Sequence, residues 1–211
     1  MLKKPKFIIG IDEAGRGPLA GPVAVGVAMV PVAFDWNLIP GVGDSKKMSP
    51  QKRTAIFRRA TELSRSGQLT YVVVMTSARR IDKFGIVPAI KQALEKALAK
   101  VVKIKSGLSP GDFYIKLDGG LKAPKEFPNQ ETIIKGDAKE LVIGLASIMA
   151  KVTRDKYMEK LAREAQYQAY DFATHKGYGT KKHRESISLN GLSKEHRRSF
   201  CKRFIKSSLM E

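Results

Sequence analysis

Asp12 and Glu13 stand side by side in "GIDEAGRGPLAGP", between the apolar runs "FII" and "VAVGVAMV". Asp118 in "LDGG" and Asp137 in "KGD" complete a set of four acids at the ends of expected strands or just after them. Strand ends are where an α/β sheet displays a site. Buried anions brought together repel, and each raises the pKa of the other. A divalent cation removes that repulsion. Two such ions, about 4 Å apart in the general pattern, activate a water and stabilise the leaving oxygen of a phosphodiester. Oxygen ligands suit Mg²⁺ or Mn²⁺. A single cysteine, Cys201, and three late histidines (His175, His183, His196) argue against a zinc site.

Taken singly, Asp118 before Gly-Gly and Asp137 after Gly136 would pass as turn residues. In a regular strand Asp12 and Glu13 face opposite sides. They are expected to converge only through a turn or bulge, which Gly15 and Gly17 would allow. Asp155 lies four residues after Lys151 on an expected helix, so an ion pair accounts for it.

The loop "GRGPLAG" has the spacing G-x-G-x-x-x-G and is followed by a strand, so it fails both tests of a dinucleotide fingerprint. Close backbone approach to a ligand is the better reading. Main-chain groups at glycine can reach a sugar or phosphate, and a ribose 2′-OH both donates and accepts. Arg16 can meet a phosphate bidentately.

The elements that must position these residues are legible in the periodicity. Residues 6–12 and 23–31 read as two strands joined by the glycine-rich loop. Ser49 caps a helix with Pro50 in its first turn and Ile56, Phe57, Ala60 and Leu63 on one face. A turn at Gly67 leads into a third strand. Pro88 is expected to open a second helix with the stripe Ile90, Ala93, Leu94, Ala97, Leu98 and Val101. Two short strands end at Asp118 and near Asp137. A helix follows with Leu141, Leu145, Ile148 and Val152 on one face, continuing toward Ala165. The early strands are expected to pair antiparallel, and the later ones to run parallel under helical cover.

The chain has 211 residues, with 39 Lys plus Arg against 20 Asp plus Glu, a net charge of +19. Such a balance favours a polyanion, with nucleic acid the default. No apolar run is long enough for a bilayer span, and Asp12 and Glu13 interrupt any signal-peptide pattern. The cytoplasm is the expected compartment, and a monomer the expected state.

"GIDEAGRGPLAGPVAVGV", "DSKKMSPQKR", "LDGG", "KGDAKELVIGLASIMAKVTRD", "YDFATHKGYGTKKH" and "HRRSF" occur in that order. In this the chain resembles the bacterial ribonuclease HII family, from about residue 7 to residue 204. The resemblance implies a ribonuclease H-like α/β fold, with a mixed five-stranded sheet flanked by helices. It implies a catalytic part over residues 1–165 and a C-terminal helical, substrate-binding part over 166–211. The implied activity is hydrolysis of RNA in RNA–DNA hybrids and cleavage 5′ to single ribonucleotides in duplex DNA, leaving 3′-OH and 5′-phosphate ends. It places the catalytic and metal-binding roles, for two Mg²⁺ or Mn²⁺ ions, on Asp12, Glu13, Asp118 and Asp137. It gives Gly15, Arg16 and Gly17 the ribose 2′-OH, Tyr178 the following deoxyribose, and Lys46 the substrate phosphates. "GLASIMAK" departs from the family's alanine-rich run, where Gly144 would cost the helix about 1 kcal/mol relative to alanine. No clamp-binding motif follows "HRRSF", so a sliding-clamp partner is not expected.

Two other readings compete. A basic binding protein without catalysis explains the charge but not four acids at strand ends, and it would bind no worse with Asp12 neutralised. Another nuclease of the same general fold, such as a junction resolvase, an integrase-like enzyme or ribonuclease HIII, is the second; ribonuclease HIII would be expected to carry an extra N-terminal domain and a first motif other than "DEAGRGP".

Overall fold

The first two strands are built for burial on both faces. β1 (Phe7–Ala14) and β2 (Val23–Pro31) are almost wholly apolar, and every residue of β2 but its last is buried. They pair antiparallel without interruption from Phe7↔Pro31 to Ala14↔Ala24. The computed structural model describes residues 4–105 and 107–205. The first residues of the expected catalytic part lie outside these, as does the 206–211 tail in which no clamp-binding motif is read.

α1 (Pro50–Arg65) begins as expected: the Ser49 side chain accepts from the Lys52 amide, and Pro50 occupies the first turn. β3 (Thr70–Thr76) pairs antiparallel with β2. α2 (Ala78–Phe84) and α3 (Ile86–Ile104) follow. The expected helix therefore opens at Ile86 rather than Pro88, and α2 is an additional element. Gly85, at φ +85°, divides the two helices in a conformation an L side chain resists. The six-residue stripe of α3 is buried throughout.

β4 (Phe113–Asp118) and β5 (Gln130–Ile133) run parallel to β1 and to each other. Among the described residues the sheet has five strands in the order β3-β2-β1-β4-β5. Asp118 ends β4 as expected. Asp137 does not end a strand: β5 stops at Ile133, and Asp137 sits in the one-turn helix α4 (Gly136–Lys139). Lys135, in the left-handed region at φ 57°, reverses the chain between them.

α5 (Leu141–Leu161) is the central helix, and it stops short of Ala165. It is buried around nearly its whole circumference, whereas Leu141, at its first turn, is 42% exposed. It lies directly on the sheet, because a Cβ on Gly10 or Gly26 would overlap the carbonyl oxygens of Val142 or Ala146. Gly144 has a spatial reason of its own: a Cβ there would lie 3.0 Å from the carbonyl oxygens of Asp137 and Gly43. One core packs α3 against the sheet, and a second packs α1 and α5 against the other face. The C-terminal part consists of a 3₁₀ turn (Ala165–Tyr170), α6 (Phe172–His175), α7 (Lys181–Asn190), a 3₁₀ turn (Arg198–Phe200) and α8 (Lys202–Ile205). Ala20 of the β1–β2 connection forms a bridge with His196 of this part.

Candidate active site

β1 outruns its neighbour. Its ladder with β4 ends at Ile11↔Leu117, while its ladder with β2 continues to Ala14. Asp12 and Glu13 therefore sit on a regular strand whose β4 side has opened. This corrects the expectation of a turn or bulge: the two side chains do alternate, and both still border the open end. Asp12 shares its face with Ile8, which packs on the α5 side; Glu13 shares its face with Ile9 and Ile11, which pack on the α3 side.

A cleft of about 480 Å³ at this end is lined by Asp12, Glu13, Gly15, Arg16, Gly17, Lys46, Asp118 and Tyr178, with Ser45, Arg53, Ser147 and Lys151. Eight of the nine residues singled out in the sequence thus meet in one place. The ninth, Asp137, is 4% exposed and is joined to the cleft by Lys46, whose Nζ donates to its Oδ2 at 3.2 Å. Asp118 Oδ1 accepts from the Gly136 amide at 2.6 Å, which ties β4 to the turn that carries Asp137.

The electrostatics show strain that a cation would relieve. Asp12 is 3% exposed, and its pKa is pushed up to about 8. Burial is the main cause; the Ser147 hydroxyl opposes it by hydrogen bonding to the carboxyl, while the charges of Asp118 and Glu13 add to it. Burial acts to lower the Lys46 ammonium, but the hydrogen bond and charge of Asp137, with Asp12 and Asp118 behind, hold it above its ordinary value. Arg16 Nη1 donates to Glu13 Oε1 at 3.3 Å. Two of the acids are thus paired with flexible cations and a third has its charged form disfavoured.

Among the described residues no three His, Cys, Asp or Glu side chains converge closely enough to make a ready metal cage. The chemistry of the donor set nevertheless fits a hard divalent ion. It is all oxygen, three of its four acids line one cleft with the fourth joined to it through Lys46, and the charges of Glu13 and Asp137 are balanced by the side chains of Arg16 and Lys46. Asp155 pairs with Lys151 at 2.9 Å, in keeping with its exclusion from the set.

The match to known proteins decides the family. A family model described as ribonuclease HII matches residues 9–204.

The chain belongs to the ribonuclease HII family.

Curated ribonucleases HII from Bacillus cereus (strain AH820) and Geobacillus thermodenitrificans (strain NG80-2) are each 43% identical to it, over 92% of this chain and 69% and 68% of their own. The solved ribonuclease H2 of Pyrococcus horikoshii OT3 superposes with a TM-score of 0.70 at 25% identity, covering 97% of this chain and all of that one. A Bst ribonuclease HIII solved with Mn²⁺ shares the fold, with a TM-score of 0.75 at 18% identity over 99% of this chain and 72% of its own. This ribonuclease HII is a hydrolase of the ribonuclease H class, acting on RNA–DNA hybrids.

Several residues around the cleft were not visible in the sequence. Ser147 lies on α5, and its Oγ is 2.8 Å from Ser45 Oγ, so the two buried hydroxyls join the "DSKK" loop to the helix beside Asp12. Arg53 donates from Nη1 to the Ser45 and Met48 carbonyls at 2.8 and 2.6 Å, bracing the loop that carries Lys46. Neither serine stands out by type or spacing. Arg53 does lie in "DSKKMSPQKR", but its partners are main-chain atoms that no motif announces.

Proposed function

We propose that this ribonuclease HII cuts the RNA strand of hybrids and cuts 5′ to single ribonucleotides embedded in duplex DNA. The products would carry 3′-OH and 5′-phosphate ends. The observation that carries this reading is the meeting of Asp12, Glu13 and Asp118 with the Gly15–Gly17 loop and Tyr178 in one cleft. Acids alone would serve any phosphodiesterase; a backbone loop and an exposed aromatic beside them offer a way to examine the sugar.

Asp12, Glu13, Asp118 and Asp137 would hold two divalent ions, Mg²⁺ or Mn²⁺. When bound, the ions would supply an activated water and charge stabilisation at the leaving oxygen. The chain does the positioning. The Gly15–Gly17 loop offers main-chain groups to the ribose 2′-OH. Tyr178, 41% exposed, presents its ring for the next sugar, where packing against C2′ would disfavour a hydroxyl. Lys46 would leave Asp137 for a substrate phosphate. Fixed placement of the scissile bond supplies much of the rate.

A second hollow of about 550 Å³ shares Arg53, Lys151 and Tyr178 with the cleft and adds Lys156 and Lys176. Asp155 and Glu159 also line it, paired with Lys151 and Lys176, and Arg53 and Lys156 leave the hollow with a positive balance beside the cleft. The substrate partners proposed are therefore RNA–DNA hybrid and ribonucleotide-bearing DNA.

The test is cleavage of a DNA duplex with one ribonucleotide, in Mg²⁺ or Mn²⁺, comparing the native chain with Asp12→Asn. A cut 5′ to the ribonucleotide, lost in the variant, is the expected result. Cleavage of hybrid without cleavage at the single ribonucleotide would overturn the junction reading and leave the nuclease. Binding of both substrates with no cleavage in either metal would overturn the proposed mechanism.

A further inference from the structure

We propose that Arg197 is a positioning residue for ribose recognition: its guanidinium holds the Gly15 and Arg16 carbonyls so that the Arg16 and Gly17 amides face the cleft as paired donors to the ribose 2′ oxygen. The proposal rests on the reading that this loop examines the 2′-OH.

Arg197, in "HRRSF", is fully buried. Its Nη2 donates to the Gly15 carbonyl at 2.7 Å, its Nη1 to Arg16 at 2.9 Å and its Nε to Gly21 at 2.9 Å. Its own main-chain amide donates to the Leu19 carbonyl at 2.7 Å. The C=O and N–H of a trans peptide point in opposite directions, and the described residues contain no cis bond. A carbonyl of Gly15 turned inward therefore turns the Arg16 N–H outward. The inward carbonyl of Arg16 does the same for the Gly17 N–H. Arg16 and Gly17 are exposed and line the cleft, and neither amide has a hydrogen-bond acceptor among the described residues.

A second buried guanidinium completes the support. Arg154 of α5 donates to the carbonyls of Pro22, Ala20 and Lys176 at 2.8, 3.1 and 3.0 Å. Its Nε occupies the place a Cβ of residue 15 would need, and Gly15 has φ +83°. The Gly15–Pro22 connection is thus gripped from behind by two arginines, with its donors left in front.

Structure alone does not ask for this arrangement. A guanidinium with no exposure and no ion-paired carboxylate among the described residues is costly to bury. Burial and the charge of Arg154 pull the Arg197 pKa down to about 9. What the cation adds is polarisation. A charge-assisted bond to a carbonyl draws density from the peptide and strengthens the N–H on its far side.

The experiment measures cleavage of a single-ribonucleotide duplex with an all-DNA duplex of the same sequence as competitor. The ratio of the DNA inhibition constant to the substrate KM reports ribose discrimination. Arg197→Lys keeps the charge but cannot reach three divergent carbonyls. It is expected to lower the ratio about tenfold, the worth of one good hydrogen bond to the sugar, with the DNA inhibition constant within about twofold of native. Arg197→Gln, keeping one or two donors, should fall between. A folded Arg197→Lys protein with the native ratio would overturn the proposal. So would failure of both variants to fold, which would assign Arg197 to stability alone. If the native chain itself shows a ratio near one, the loop does not read the 2′-OH; the proposal then falls with the reading beneath it, recognisably so because no variant is involved.

Discussion

At the scale of the residue, the acids of the site are held by burial and by neighbouring cations. Burial disfavours the charged form of Asp12, and Glu13 and Asp137 lean on Arg16 and Lys46. Asp12→Asn removes a buried ionisable carboxyl at little change in shape. With metal chelated, it is expected to raise the thermal midpoint at pH 8 by several degrees, while abolishing cleavage. Calorimetry and an activity assay on the same preparation check both arms. For Arg16 the backbone and the side chain separate. Its guanidinium is about half exposed and, among the described residues, paired with Glu13 alone, so Arg16→Ala should raise KM a few-fold through weaker phosphate attraction. The ratio of single-ribonucleotide to all-DNA binding should stay native, and competition binding would show it.

At the scale of the element, α5 sets the geometry. It carries Ser147 toward Asp12 and Arg154 behind Gly15, and it does so by resting on glycine backbone at β1 and β2. Gly26→Ala places a methyl against the Ala146 carbonyl and must push helix from sheet. A loss of about 1–3 kcal/mol of stability is expected, with kcat falling more than KM because the acids are displaced relative to one another. Denaturant unfolding with steady-state kinetics would check this. A native kcat in a destabilised Gly26→Ala protein would show that α5 does not set the acids' placement.

At the scale of the whole molecule, two properties act together. The C-terminal part rests on three buried histidines. The Gly177 amide donates to His175 Nδ1 at 3.1 Å, which leaves its Nε2–H for the Tyr170 carbonyl. The Ser193 amide donates to His196 Nδ1 at 2.9 Å, so its Nε2–H donates to His183 Nε2 at 3.1 Å; His183 Nδ1–H in turn serves the Tyr178 carbonyl. All three rings are neutral in this network, and a further proton on any of them breaks a bond. Burial above all pulls His183 and His196 down to about 4. Between that value and the free-histidine value the unfolded chain binds more protons. The histidines' contribution to stability is therefore full above about pH 6.5 and is lost as pH falls toward about 4. Urea unfolding of the Asp12→Asn protein, in which the opposing titration of Asp12 is removed, should show on the order of 2–4 kcal/mol less stability at pH 5 than at pH 7, and adding His196→Gln should flatten that slope. The other property is the +19 charge. Lys156 borders the second hollow, so Lys156→Gln should weaken hybrid and plain DNA alike and reduce the salt slope by about one. A salt titration of both duplexes would check it.

The sequence by itself determined what recurs locally. The stripe from Ile90 to Val101, the Ser49 cap and the strand ending at Asp118 follow from period, capping chemistry and β-branching, which act over a few residues. The ordered motifs placed Asp12, Glu13, Asp118, Gly15–Gly17, Lys46 and Tyr178 in one expected site, and their side chains line one cleft. Only the tertiary structure decided how Asp12 and Glu13 both reach it. The answer is a strand that outruns its neighbour, and ladder length depends on where β4 stops, far along the chain. Asp137 was read as lying near a strand end because "TII" is β-branched, yet a left-handed Lys135 and a one-turn helix place it. Arg154 and Arg197 were hidden for a related reason. A basic residue in a chain of net +19 looks like surface charge, and only packing shows that these two are buried on main-chain carbonyls more than a hundred residues away.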